Sequence, residues 1–257
     1  MRAWELASVV FFAYVAVVAA LPRGLAPRRR RRALAGSAVG LATAFATHAV
    51  PYNWILHGWI APPLLLLLGY WTSGRLFVAP MPRAESLLWR IDARLRIDRV
   101  AARTPRAAAE FLELAYTGVY LLIPLALYLV LAIGVVADRA WTVVLVTDFI
   151  CFGCLPWIQT RPPRAFVADV PWRSRWRGVN VRLLSAASVQ VNTFPSGHAA
   201  EALVAALLVI GASRTVSAWM FFNTAAISAG AVLGRYHYAA DAIAGWIVAV
   251  VVWWLLG

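Results

Sequence analysis

Two histidines and an aspartate carry the chemistry this chain can offer: His198 closes Pro195-Ser196-Gly197-His198, and His237 precedes Asp241 in His-Tyr-Ala-Ala-Asp. Residues four apart share a helical face, so the Asp241 carboxylate can reach an imidazole nitrogen of His237. A carboxylate so placed fixes the tautomer and steadies a positive ring. Pro195-Ser196-Gly197 presents free backbone N–H groups at a helix start, which suits an anion. Arg161 and Arg164 in Thr-Arg-Pro-Pro-Arg, and Arg235 two residues before His237, add planar donors for phosphate. Nucleophile, acid, orienting carboxylate and anion cradle are the parts that phosphoryl transfer needs. Glu201, one turn after His198, and Tyr236 and Tyr238, on either side of His237, stand in an outer shell. Each piece alone is weak: an isolated histidine in a span is as often a helix–helix hydrogen bond. Their convergence carries the reading.

The elements that must position these residues are spans. Hydrophobic residues make up 62% of the 257 and charged residues 14%, against roughly a quarter charged in a soluble domain. Segments 7–21 and 107–135 have no water-facing stripe, as in helices that cross hydrocarbon. The pattern predicts an all-α, polytopic membrane bundle of about eight spans, near 4–21, 34–49, 53–72, 108–135, 140–158, 196–212, 216–233 and 239–256. Continuous apolar runs exclude a β-barrel, whose strands alternate. The first span is expected to be retained rather than removed as a signal peptide, since it follows a single Arg2 and lacks a small-residue cleavage site.

The charge of +13 comes from arginine alone and sits between spans. Segment 22–33 holds Arg23 and arginines 28–32. Segments 73–107 and 159–194 hold most of the rest, including Arg173. This is topological charge facing anionic headgroups and cytoplasm rather than a nucleic-acid surface. Eight spans put all three segments on one face with the three motifs, leaving Arg2, Arg139 and Arg214 for the other. The arginine-rich face is expected in the cytoplasm and both termini outside. Within segment 84–100, Leu88, Ile91 and Leu95 form an apolar stripe that predicts an amphipathic helix lying on the membrane surface. Cys151 and Cys154 read as small core residues, and Asp148, Asn223 and Glu5 as polar contacts between helices. Glu110 and Glu113 enter the fourth span as candidate arginine partners; His48 and His57 fall near the opposite face.

Pro-Ser-Gly-His followed by His-x-x-x-Asp at the start of the last span resembles the type 2 phosphatidic acid phosphatase superfamily of membrane phosphatases and phosphotransferases. The resemblance covers residues 160–241 and implies a six-helix core spanning roughly 108–257 plus part of the N-terminal spans, the first two spans being an addition. Segment 1–72 holds the N-terminal transmembrane helices, 73–107 is an arginine-rich interfacial segment, and 108–257 carries the catalytic core. It implies a two-step reaction without metal or cofactor. His237 attacks phosphorus, Asp241 orients it, and His198 protonates the leaving oxygen and then activates the acceptor. Arg161, Arg164, Ser196, Gly197 and Arg235 hold the phosphate. Two positions depart from the family pattern. The lysine expected seven residues before the Arg-Pro pair is Cys154, in a chain with no lysine, and the arginine expected six before the histidine is Ala231. That pattern is similar to the inositol phosphorylceramide synthase branch. The implied partners are membrane lipids and a lipid phosphate substrate of polyprenyl or glycerolipid type. The rival readings are a phosphotransferase acting on an alcohol such as inositol or a sugar, and a non-catalytic lipid-binding protein.

Overall fold

A backbone in hydrocarbon must satisfy its own N–H and C=O groups, and this chain does so with helices. The computed structural model describes residues 1–22, 24–134, 136–166, 172 and 174–257. Arg23, Arg173 and Val135, the last residue of the expected fourth span, lie outside the described residues. The described residues form eleven α-helices: α1 Ala3–Ala20, α2 Pro27–Ala49, α3 Ala61–Ser73, α4 Pro82–Arg94, α5 Ile97–Arg103, α6 Arg106–Ala132, α7 Ala137–Gly153, α8 Arg175–Ala187, α9 Gly197–Leu208, α10 Arg214–Leu233 and α11 Ala239–Leu256. Among them the only β pairing is an isolated bridge between Thr160 and Asn192.

α1, α6, α10 and α11 are long and apolar enough to cross a membrane, and α9 is a shorter apolar helix. The chain is thus a helical membrane bundle, with several elements placed differently from expectation. Arginines 28–32 form the first turns of α2 rather than a loop, because Pro27 at the first helical position starts the helix before them. The third expected span is split into a π-helical turn, Leu56–Ile60, and the 13-residue α3. The amphipathic segment breaks into α4 and α5 at Arg96, whose φ of 54° cannot continue a right-handed helix. α8 has no counterpart among the expected elements; Ser174 caps it, accepting from Trp176 and Arg177 N–H.

α9 lies at the centre, packed by α6, α7, α10 and α11. Its buried face is mostly alanine, including Ala199, Ala202 and Ala206, which lets neighbouring backbones come close. At Gly245 of α11 an added Cβ would stand 2.5 Å from the Ser196 carbonyl oxygen, so glycine sets the approach of α11 to the start of α9. α1 packs on α2 and α7, where Phe11 and Phe149 stack at 4.2 Å.

Contacts sort the connections into two ends. At one, Arg29 donates to the Phe77 carbonyl, Arg161 pairs with Glu85, and the Arg164 N–H donates to the Arg235 carbonyl. The segments after α1, α3, α7 and α10 therefore meet there. At the other, Arg2 contacts Glu5 at 2.7 Å and Asp138 at 3.4 Å, and His48 lies 3.3 Å from Glu5. Asn223 does not bridge helices: its amide donates to Trp219 in its own helix.

Candidate active site

The site forms where α7, α9 and α11 begin or end. Pro195 cannot donate a hydrogen bond, so α9 starts just after it, with the Ser196 hydroxyl capping the Ala199 N–H. The Ser196 N–H donates to the Asp241 carbonyl at 2.9 Å, joining the starts of α9 and α11. The His198 and His237 rings come to 5.9 Å between centroids. Asp241, fully buried, lies behind His237 with Oδ2 3.4 Å from Nδ1, and the same oxygen accepts the Tyr238 N–H at 2.9 Å. With Nδ1 turned to the carboxylate, Nε2 is the His237 nitrogen left for chemistry. On the other side, Tyr120 places its hydroxyl 3.2 Å from His198 Nε2, and Tyr116 stacks between His198 at 5.2 Å and Tyr236 at 4.2 Å.

Both histidines line a cavity of about 290 Å³ together with Arg164, Gly197, Glu201 and Tyr236. Its remaining walls are mostly apolar and aromatic, with Ser188 and Thr193 as further polar side chains. A larger cavity of about 720 Å³ between the end of α1 and the 76–83 segment offers, among the described residues, only Arg83 as a charged group and no histidine.

A family description, the PAP2 superfamily, matches residues 86–255, well over half of the chain. The chain belongs to the PAP2 superfamily. No curated protein and no solved structure matches it. PAP2 superfamily membership supports phosphatase- or phosphotransferase-type activity on a lipid phosphate in general, and with the apolar helices it marks a membrane protein.

The structure brings only some of the expected PAP2 phosphate ligands to the cavity. Arg164 is there, with Nη1 3.5 Å from the Tyr236 carbonyl, and so is Gly197. Arg161 is not: Glu85 holds its guanidinium at two points, 2.9 and 3.0 Å, and its backbone N–H at 2.9 Å. Arg235 is fully buried between Asp92 at 2.9 Å and Asp98, with a φ of 63°. Arg235, so enclosed, is not among the residues that line the cavity. Ser196 is buried behind the cavity as a helix cap. Glu201 lines the cavity one turn after His198, and among the described residues no hydrogen bond joins it to His198 or to an arginine. Tyr236 donates to Glu113 at 2.6 Å, and Tyr238 is buried against Trp89. Burial pushes both phenols up, which keeps them neutral.

Sequence reasoning missed the residues that hold the motifs. Glu85 and Asp92 lie seven apart on one face of α4; the first grips Arg161, and the second grips Arg235 and accepts the Ala239 N–H at 2.9 Å, capping α11. The Arg161 contact holds the Glu85 carboxyl below its usual value. Burial pushes Asp92 up, against the pull of Ala239 and Arg235, and pushes Arg235 down. Two acids at this spacing in an arginine-rich segment were the available signal. Glu113 bears out the arginine-partner expectation, meeting Arg177 at 3.0 Å and also Asn180 and Trp172. Glu110 instead accepts from the Ser174 hydroxyl and the Arg175 backbone at the start of α8.

Proposed function

We propose that this protein hydrolyses a lipid phosphate through a phosphohistidine on His237. The observation that carries the reading is the pair of histidine rings 5.9 Å apart on one cavity, with Asp241 behind one ring and Arg164 beside them. In the first step His237 Nε2 attacks phosphorus, the bond to the lipid oxygen breaks, and His198 gives that oxygen its proton. In the second, water attacks the phosphohistidine, His198 takes a proton from the water, and the P–N bond breaks to release phosphate. Asp241 stabilises the positive ring between steps. Arg164 and the N–H groups at the start of α9 offset charge on the phosphoryl oxygens. The reaction as written calls on no metal, so loss of activity with a chelator contradicts it.

Headgroup transfer to an alcohol is a second reading, favoured by Glu201 and Tyr120 lining the cavity near His198, where they can hold a hydroxyl. Purified protein given a lipid phosphate, with and without inositol or a sugar, separates the two. Hydrolysis releases free phosphate without an acceptor; transfer yields a new phosphodiester or phosphomonoester only with one. Neither product, with lipid still bound, leaves a non-catalytic lipid-binding protein. We place the site on the cytoplasmic face of the cell membrane, because the arginine-rich connections gather at its end of the bundle.

A further inference from the structure

The catalytic cavity is not walled by the family-matched residues alone. Part of its wall is α3, through Leu66, Leu67, Tyr70 and Trp71, whereas the matched residues begin at 86. α3 packs on α1, α2 and α7, while α6 packs on α7, α8, α9 and α10. The two helices thus flank a cleft, with Phe152 of α7 lining the cavity between them. Its rims face outward: Leu64 and Leu67 are each 43% exposed on α3, and Tyr120 is 47% exposed on α6. The cleft opens on the outer surface of the bundle beside the two histidines.

The α3 wall is fixed in place. The Tyr70 hydroxyl donates to Ser188 at 3.0 Å and accepts the Val189 N–H at 3.1 Å, and Trp71 Nε1 donates to the Ala187 carbonyl at 2.9 Å. These bonds latch the end of α3 to the end of α8, whose Leu183 and Leu184 also line the cavity. A second apolar cavity, of about 710 Å³, is lined by Trp54, Ile55 and Trp59 before α3 and by Tyr128, Leu131 and Ala132 of α6. Tyr120 and Leu131 are three turns of α6 apart, about 16 Å. That exceeds half of a hydrocarbon core of about 30 Å.

We propose that the α3–α6 cleft holds the hydrocarbon chain of the substrate, and that α3 selects a lipid phosphate with one long chain reaching past the bilayer midplane. The inference rests on the lipid-phosphate reading above. Beside an ester oxygen held between His198 and His237, the cavity's α3 and α6 lining is leucine and aromatic rings, which suit a hydrocarbon chain. The second cavity, at Trp59 and Tyr128, carries no charged group among its lining residues.

The test uses purified full-length protein in lipid nanodiscs and a series of single-chain alkyl or isoprenyl monophosphates of increasing length. The wild type is expected to show kcat/KM rising at least tenfold from the shortest to the longest chain. Leu67→Trp, which fills the cleft, should reduce that long-to-short ratio at least tenfold. Val10→Trp, on the bilayer face of α1, should leave the ratio unmoved. A flat wild-type series, or a Leu67→Trp that lowers every length by one factor, overturns the proposal, since α3 would then act only on folding. A long-chain monophosphate with a terminal diazirine supplies a readout independent of turnover. Cross-links within residues 54–71 or 120–132 support the cleft, and cross-links confined to other helices overturn it. Cross-linking within the cleft without phosphate release from any substrate sinks the hydrolysis reading instead.

Discussion

At the scale of single residues, the spacing of His237 and Asp241 made their partnership legible, because four residues on a helix fix relative direction. Asp241→Asn keeps the size of the side chain but loses the charge that steadies the imidazolium. It should lower kcat by about 10²–10⁴ with the fold retained, read from steady-state phosphate release beside a thermal melt. The arginines were not legible, because a guanidinium goes where an acid pulls it and the acids are far off in sequence. Glu85 lies 76 residues from Arg161 and Asp92 143 from Arg235. Among the described residues no carboxylate clamps Arg164, which lines the cavity, so Arg164→Ala should reduce kcat/KM. A charge-assisted hydrogen bond of about 1.5–3 kcal/mol corresponds to roughly ten- to 150-fold. Arg161→Ala should move it less, acting only through the loop it anchors. The Glu85 contact also sets a pH window. Its carboxyl is held below the ordinary 4.5, so the folded state releases the proton more readily than the unfolded chain. The resulting stabilisation is complete above that pH and is lost as pH falls through the lowered value. The Tm difference between wild type and Glu85→Gln should therefore be full above pH 4.5 and close below it; a difference independent of pH contradicts the assignment.

At the scale of elements, α4 is a brace. The apolar stripe of 84–100 was readable as an amphipathic helix, and it exists. Its break at Arg96 was not, since no glycine or proline marks the left-handed residue. Nor was its task legible, because a hydrophobic stripe tells which face is buried but not that the acids beside it cap α11 and neutralise Arg235. Removing one partner of a buried pair strands the other charge, at a cost of about 3–5 kcal/mol. Asp92→Ala should therefore lower Tm and activity together, whereas Asp92→Asn, which still accepts the Ala239 N–H, should retain part of both. If Asp92→Ala melts like wild type, α4 does not brace the third motif. Gly245 makes the corresponding point for α9 and α11. Gly245→Ala puts a methyl 2.5 Å from the Ser196 carbonyl oxygen, so the two motif-bearing helix starts must separate. Activity should fall while membrane insertion persists, measured by phosphate release and by yield in the membrane fraction.

At the scale of the whole molecule, composition was enough to give a helical membrane bundle, because no other packing suits such apolar, non-alternating runs. The gathering of three arginine-rich connections with three motifs at one end was also readable, since each crossing reverses direction. Less readable were the crossings that fall short of full apolar length. α3 has 13 residues and α9 has 12, and their depth is set by packing against α7 and by the central position of α9. α8 was hidden in a segment read only for its charge, although Ser174 before an apolar-and-arginine pattern was a usable cap signal. The cytoplasmic placement predicts that a reporter fused after Gly257 is active only when extracytoplasmic reporters are active; cytoplasmic activity there reverses the orientation. The central claim is the phosphohistidine, and a rapid-quench experiment with a ³²P-labelled lipid phosphate tests it most directly. Wild-type protein should trap acid-labile, base-stable label on His237, with none on His237→Ala and no turnover by that variant in its folded form. Label or phosphate release that survives His237→Ala contradicts the mechanism.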